Sequence, residues 1–228
     1  MNISTEQIIA IVLMIIAFIP AIVLHECAHA YAAYKLGDPT AKRAGRLTLN
    51  PIKHVDPFGT ILLPAVLILG SALAGGSGIV FGYAKPVPYN PNYFKDIRKG
   101  ELIVGLAGPA ANLVMAVIGA IIAYLASYLI PISTMAYSCV ANFGQYFCTL
   151  NLCLCFFNII PLPPLDGSSI IALFLSNKGL QTYYRIQQYS MWILIIVVII
   201  LPYLTGIDII GGYLQLTAGN LANLLLSF

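Results

Sequence analysis

Between Ile8 and Leu24 the chain reads IIAIVLMIIAFIPAIVL, seventeen residues without a charge. Continued to Leu36, the run exceeds the about 20 mainly apolar residues that carry a helix across a bilayer. Three more stretches meet the same test, about Leu102–Ile130, Asn142–Ile160 and Ile186–Leu204. In lipid every backbone N–H and C=O must be paired within the protein, so such runs are helices. Composition agrees. Hydrophobic residues make up 60% of the chain and charged ones 8%, with a mean hydropathy of +0.90, where a soluble domain is about a quarter charged. The sequence therefore predicts an all-α integral membrane protein, a polytopic helix bundle forming a single membrane domain over residues 1–228.

The basic residues set its orientation. Lys35, Lys42, Arg43, Arg46 and Lys53 follow the first apolar run, and Lys85, Lys95, Arg98 and Lys99 precede the second. Lys178 and Arg185 precede the last long run, whereas the turns Pro131–Cys139 and Tyr203–Gly212 hold no Lys or Arg. Positive loops stay on the cytoplasmic side. All three basic loops share that side if Phe58–Phe81, broken by Pro64, Gly70 and Gly75-Gly76, is a re-entrant hairpin rather than a single span. Ile209–Phe228, with Gln215, Asn220 and Asn223, spans the membrane or lies in its interface. MNISTEQ lacks the basic region of a cleaved signal peptide, so the first run is expected to remain as a helix. The five cysteines show no CxxC pair and lie mostly in apolar runs, which reads as packing rather than a disulfide framework.

At the end of the first run stands His25-Glu26-Cys27-Ala28-His29. Residues four apart lie about 40° from each other around a helix, so both imidazoles point the same way. That suits two nitrogen ligands of a tetrahedral Zn2+, and Glu26, one position on, flanks the metal without binding it. His-Glu-x-x-His on a helix is a zinc metalloprotease signature. Ionisable groups at membrane depth cost at least ~2.5–3.5 kcal/mol for the most polar types, which makes them functional candidates by default. A catalytic zinc takes a third protein ligand and keeps one position open. Among the remaining acids, Asp166 alone ends an apolar segment in a special setting, NIIPLPPLDGS, where Pro161, Pro163 and Pro164 prevent a regular helix.

Three motifs, HECAH, AGPAAN (Ala107–Asn112) and NIIPLPPLDG, stand in the order and spacing of the site-2 protease family, the intramembrane zinc metalloproteases, which the chain resembles over roughly Ile8 to Ser169. NPIKHVDPFGT and FGYAKPVPYNP resemble its compact prokaryotic branch without a PDZ domain. The resemblance implies His25, His29 and Asp166 as zinc ligands, Glu26 as general base and Asn158 as an aid to the oxyanion. It also implies that Asn112 lies near the substrate cleft. GYAKPVP would be a small β-hairpin or edge strand on which an unwound substrate lies. The catalytic core is then about residues 8–169, with C-terminal membrane segments at about 186–228. Two features depart from the best-known members: no transmembrane segment precedes the zinc helix, and Phe58–Phe81 is inserted between motifs.

The implied function is hydrolysis of peptide bonds in or near transmembrane segments of membrane proteins or signal-peptide remnants. The implied place is a prokaryotic cell membrane, with the site near the cytoplasmic side. Lipid is a partner and nucleic acid is not, since orientation in the membrane accounts for the basic loops. His54 is read as a structural residue of its loop, with a role beside the zinc as the competing assignment. Two rival readings compete with it. A di-iron bundle needs a second Glu-x-x-His, which three histidines cannot supply. A non-proteolytic membrane metal-binding protein, a transporter or inactive adaptor, would be favoured by a missing ligand or a missing Glu26, and none is missing.

Overall fold

The computed structural model describes residues 4–54, 56 and 85–228. Helix α1 runs over Thr5–Lys35. It begins with a capping box, in which the Ser4 hydroxyl accepts from Gln7 N at 3.2 Å and Gln7 Oε1 accepts from Ser4 N at 2.9 Å, so two otherwise orphaned amides are satisfied. It stops where Gly37 turns left-handed at φ 101°, a conformation only glycine adopts without strain. One face is buried through Ala17, Ala21, Val23, His25, His29, Ala30 and Ala33, while Ile8, Ile11, Ile15 and Ile19 point outward. Small residues inward and branched apolar ones outward are what a helix in lipid needs to pack closely on its neighbours.

Helix α2 (Ile97–Leu129) is capped by Asp96, which accepts from Lys99 N at 3.1 Å. Helix α3 (Met135–Ile159) is capped by Thr134. The two are joined by a short turn and pack against each other and against α1. A Cβ on Gly119 would meet Cys148 N and Gly144 O, and one on Gly144 would meet Ala123 N and Gly119 O. The two backbones touch there. Ala17, Ala21, Met115 and Phe147 form one core among the three helices. A second core unites Ala116, Ala120, Cys148 and Leu152 with Ala218 and Ala222 of the last helix.

Beyond α3 the chain forms the Asp166 loop and a short helix α4 (Ser168–Phe174). Helix α5 (Asn177–Gln187) follows, and then α6 (Ser190–Thr205), which contains a π-helical turn and is bent by 67° from α5. The expected span at Ile186–Leu204 is thus mainly α6, entered through a bend from α5. Among the described residues three helices, α1, α2 and α3, are long and apolar enough to cross a membrane, or up to four if the bent pair α5 and α6 is one span. The last helix, α7, runs through Ile209–Leu214, a π turn at Gln215–Gly219 and Asn220–Leu225. It belongs to the bundle through Ala218 and Ala222.

The described residues are all-helical, and the expected β-hairpin or edge strand is not among them. Lys85–Pro88 belongs to no strand among the described residues. Pro86 and Pro88 have no N–H to offer a ladder. The Arg46 guanidinium donates to Lys85 O and also to Pro86 O at 3.3 Å, so a side chain occupies the carbonyls that a partner strand would use. Phe58–Phe81, read above as re-entrant, lies outside the described residues, as do Phe81 to Ala84 of the hairpin.

The segment after α1 is tied down by buried polar groups. Asp38 is fully buried and accepts from Thr40 N at 2.8 Å, from the Thr40 hydroxyl and from Asn90 N at 2.6 Å. Burial alone would raise its carboxyl, but these hydrogen bonds outweigh it and hold the group below the usual aspartate range. His54 donates from Nε2 to Thr48 O at 2.8 Å, and its carbonyl accepts from Lys85 N at 3.0 Å. Its contacts are those of a loop-bracing residue.

Candidate metal centre

His25 and His29 lie on the buried face of α1 near its C-terminal end, each only 8% exposed. Asp166 reaches them from the loop after α3. That loop is fixed by Gly167 N donating to Asn158 O at 2.6 Å and by Leu165 N donating to Leu162 O at 2.9 Å. A Cβ at position 167 would strike the Ile159 and Ile160 carbonyls, so glycine there lets the loop fold tightly onto α3. The structure brings the three residues together: His25 Nε2 is 3.0 Å from His29 Nε2, 3.1 Å from Asp166 Oδ2, and Asp166 Oδ2 is 3.3 Å from His29 Nε2. Among the described residues no other group of three His, Cys, Asp or Glu side chains converges this way.

The hydrogen bonds behind the rings decide what this cluster wants. His29 Nδ1 faces Val104 O at 2.6 Å, and His25 Nδ1 faces Asn112 Oδ1. Both partners are acceptors, so each ring places its proton on Nδ1 and keeps a lone pair on Nε2. Two lone pairs and a carboxylate oxygen then meet with no donor between them. Asp166 Oδ2 is buried and accepts no hydrogen bond. A cation resolves that arrangement. Ligands of a tetrahedral zinc at ~2.0–2.1 Å stand roughly 3.3 Å from one another, close to the separations found, and N2O donor sets suit zinc.

His29 and Asp166 of the cluster line a cleft of about 300 Å³ together with Glu26, Glu101, Ser169 and Tyr184. The Tyr184 hydroxyl donates to Glu101 Oε2 at 3.2 Å, which ties α5 to α2 across the opening. Two of the expected residues do not line that cleft. Asn112 is fully buried on α2, directly behind the His25 ring. Asn158 donates from Nδ2 to Leu154 O of its own helix at 3.0 Å and is not among the described residues of the cleft wall. Sequence reasoning passed over Val104, whose contribution is a carbonyl, and Asn151, which donates to Phe147 O at 2.8 Å and accepts from Asn112 Nδ2 at 2.7 Å. A lone asparagine deep in an apolar helix was the signal available for the latter.

Comparisons with known proteins identify the family. The family model of Peptidase family M50 matches residues 127–201. The chain is 45% identical over 159 residues to "Putative zinc metalloprotease YwhC" of Bacillus subtilis, a match covering 69% of this chain and 67% of that one. The chain belongs to peptidase family M50. It is also 30% identical over 191 residues to "Putative zinc metalloprotease Rip2" of Mycolicibacterium smegmatis, covering 84% of this chain and 68% of that protein. No solved structure matches it. The M50 chain is an intramembrane zinc metalloprotease of the site-2 type, a family whose substrates are peptides or membrane proteins in general.

Proposed function

We propose that His25, His29 and Asp166 hold the zinc of this peptidase and that Glu26 is its general base. The observation that carries the assignment is the meeting of two Nε2 lone pairs and the unpaired Asp166 Oδ2, with His29 and Asp166 lining a cleft that Glu26 also lines. Zinc held there supplies a positive charge that lowers the pKa of a water toward ~7 and polarises a carbonyl. Glu26 takes a proton from the attacking water and delivers it to the leaving amine. One N–H of the Asn158 amide is engaged by Leu154 O, and the other is the donor this reading assigns to the oxyanion.

The substrates are transmembrane segments of membrane proteins or signal-peptide remnants. Residues 1–228 act as one membrane domain with a catalytic core of about residues 8–169. The C-terminal end of α1 and the N-terminal end of α2, where Lys35, Lys42, Lys95 and Lys99 stand, lie on the cytoplasmic side of a prokaryotic cell membrane, so the cleft opens toward that side. Glu26→Gln tests the chemistry apart from the binding. Cleavage of a membrane-embedded reporter helix in detergent should fall by ~10²–10⁴-fold or more, with zinc content and fold unchanged. A variant that cuts at the wild-type rate would remove Glu26 from the mechanism, and a zinc-free one would make it a ligand.

A further inference from the structure

Asn112 and Asn151 are fully buried on α2 and α3, and together they link His25 to a main-chain carbonyl. An amide side chain presents a donor at one end and an acceptor at the other, so either asparagine taken alone has two orientations. The chain of contacts has one. Phe147 O only accepts, so Asn151 must turn its Nδ2 to it, at 2.8 Å. Asn151 Oδ1 then faces α2 and accepts from Asn112 Nδ2 at 2.7 Å. That leaves Asn112 Oδ1 toward His25, where it receives the Nδ1 proton. His29 needs no such chain, because its Nδ1 meets a main-chain carbonyl, Val104 O, directly.

We propose that Asn151 is a positioning residue for the metal centre: acting through Asn112, it fixes the proton of His25 on Nδ1 and so keeps Nε2 free to bind. The proposal rests on the reading of His25, His29 and Asp166 as ligands. Without Asn151 the Asn112 amide is free to reverse. Its NH2 group would then face His25 Nδ1, and the ring would carry its proton on Nε2. Asp166 Oδ2, 3.1 Å away, would accept that proton as a hydrogen bond. The site would close on itself instead of on a metal. Asn151 touches none of the three ligands, so its effect is transmitted only by the direction of the amides.

The test measures zinc affinity of the full-length protein in detergent, by competition with a chromophoric chelator, with helix content checked by circular dichroism. Asn151→Leu should lower affinity by about 10–100-fold, as loss of groups that orient a ligand does. Asn112→Asp placed on top of Asn151→Leu should restore it to within a few-fold of wild type, because a carboxylate accepts in either orientation. Asn151→Ala, which opens space rather than filling it, should show the same loss and the same rescue, so the answer does not depend on one variant folding. Wild-type affinity in a folded Asn151 variant would overturn the proposal. So would a loss that Asn112→Asp does not relieve, which would mark Asn151 as packing alone. Wild-type protein that binds no zinc would instead remove the ligand assignment, and the relay with it.

Discussion

Gly108 stands where α2 passes closest to the two imidazoles, and a Cβ there would meet ring atoms of both His25 and His29. A buried ring held by a single hydrogen bond behind it cannot yield without losing that bond, and overpacking costs typically about 1–3 kcal/mol. Gly108→Ala should therefore lower zinc content while leaving the helices folded, measured by metal analysis alongside circular dichroism. Unchanged zinc would mean the rings have room that the packing denies. At this scale much of the site was legible. The spacing of His25 and His29 carries its own geometry, because helical periodicity places both rings on one face. Asp166 stood out through its prolines. The residues that orient the histidines were not legible, because Asn112 and Asn151 meet across helices and no linear spacing encodes that meeting. The Val104 contribution is a carbonyl, which every residue has.

Helix by helix, the apolar runs foretold α1, α2 and α3, since a run that long in lipid has no alternative to helix. Their starts were less legible: α3 begins at Met135 rather than near Asn142, because Thr134 supplies a cap ahead of the apolar stretch. Among the described residues no β element forms, for a reason of partnership. At Lys85–Pro88 it is Arg46 and His54 that engage the backbone. The neighbouring Asp38 makes that region sensitive to acid. Its carboxyl holds a proton less tightly in the folded chain than in the unfolded one, so it favours folding above the ordinary aspartate pKa of about 3.9. That contribution fades as the pH falls through the lowered folded value. The thermal midpoint of wild type should exceed that of Asp38→Asn at about pH 6, and the gap should shrink toward about pH 3. A gap that widens on acidification would reverse the assignment.

For the molecule as a whole, the account makes one membrane domain whose zinc cleft opens on the basic side. Cysteine labelling in intact cells, with the native cysteines replaced, should find Lys42→Cys and Lys99→Cys reacting from the same side. Labelling from opposite sides would break the sidedness and make Phe58–Phe81 a single span. The central claim is that three side chains from two distant parts of the chain bind one catalytic zinc. Its most direct measurement is the metal content of purified protein, taken on the same samples as cleavage of a membrane-embedded reporter. Wild type should carry about one zinc per chain, and His25→Ala, His29→Ala and Asp166→Ala should each lose most of it together with cleavage. Full zinc in a His25→Ala, His29→Ala double variant, or cleavage that survives loss of the metal, would contradict the account.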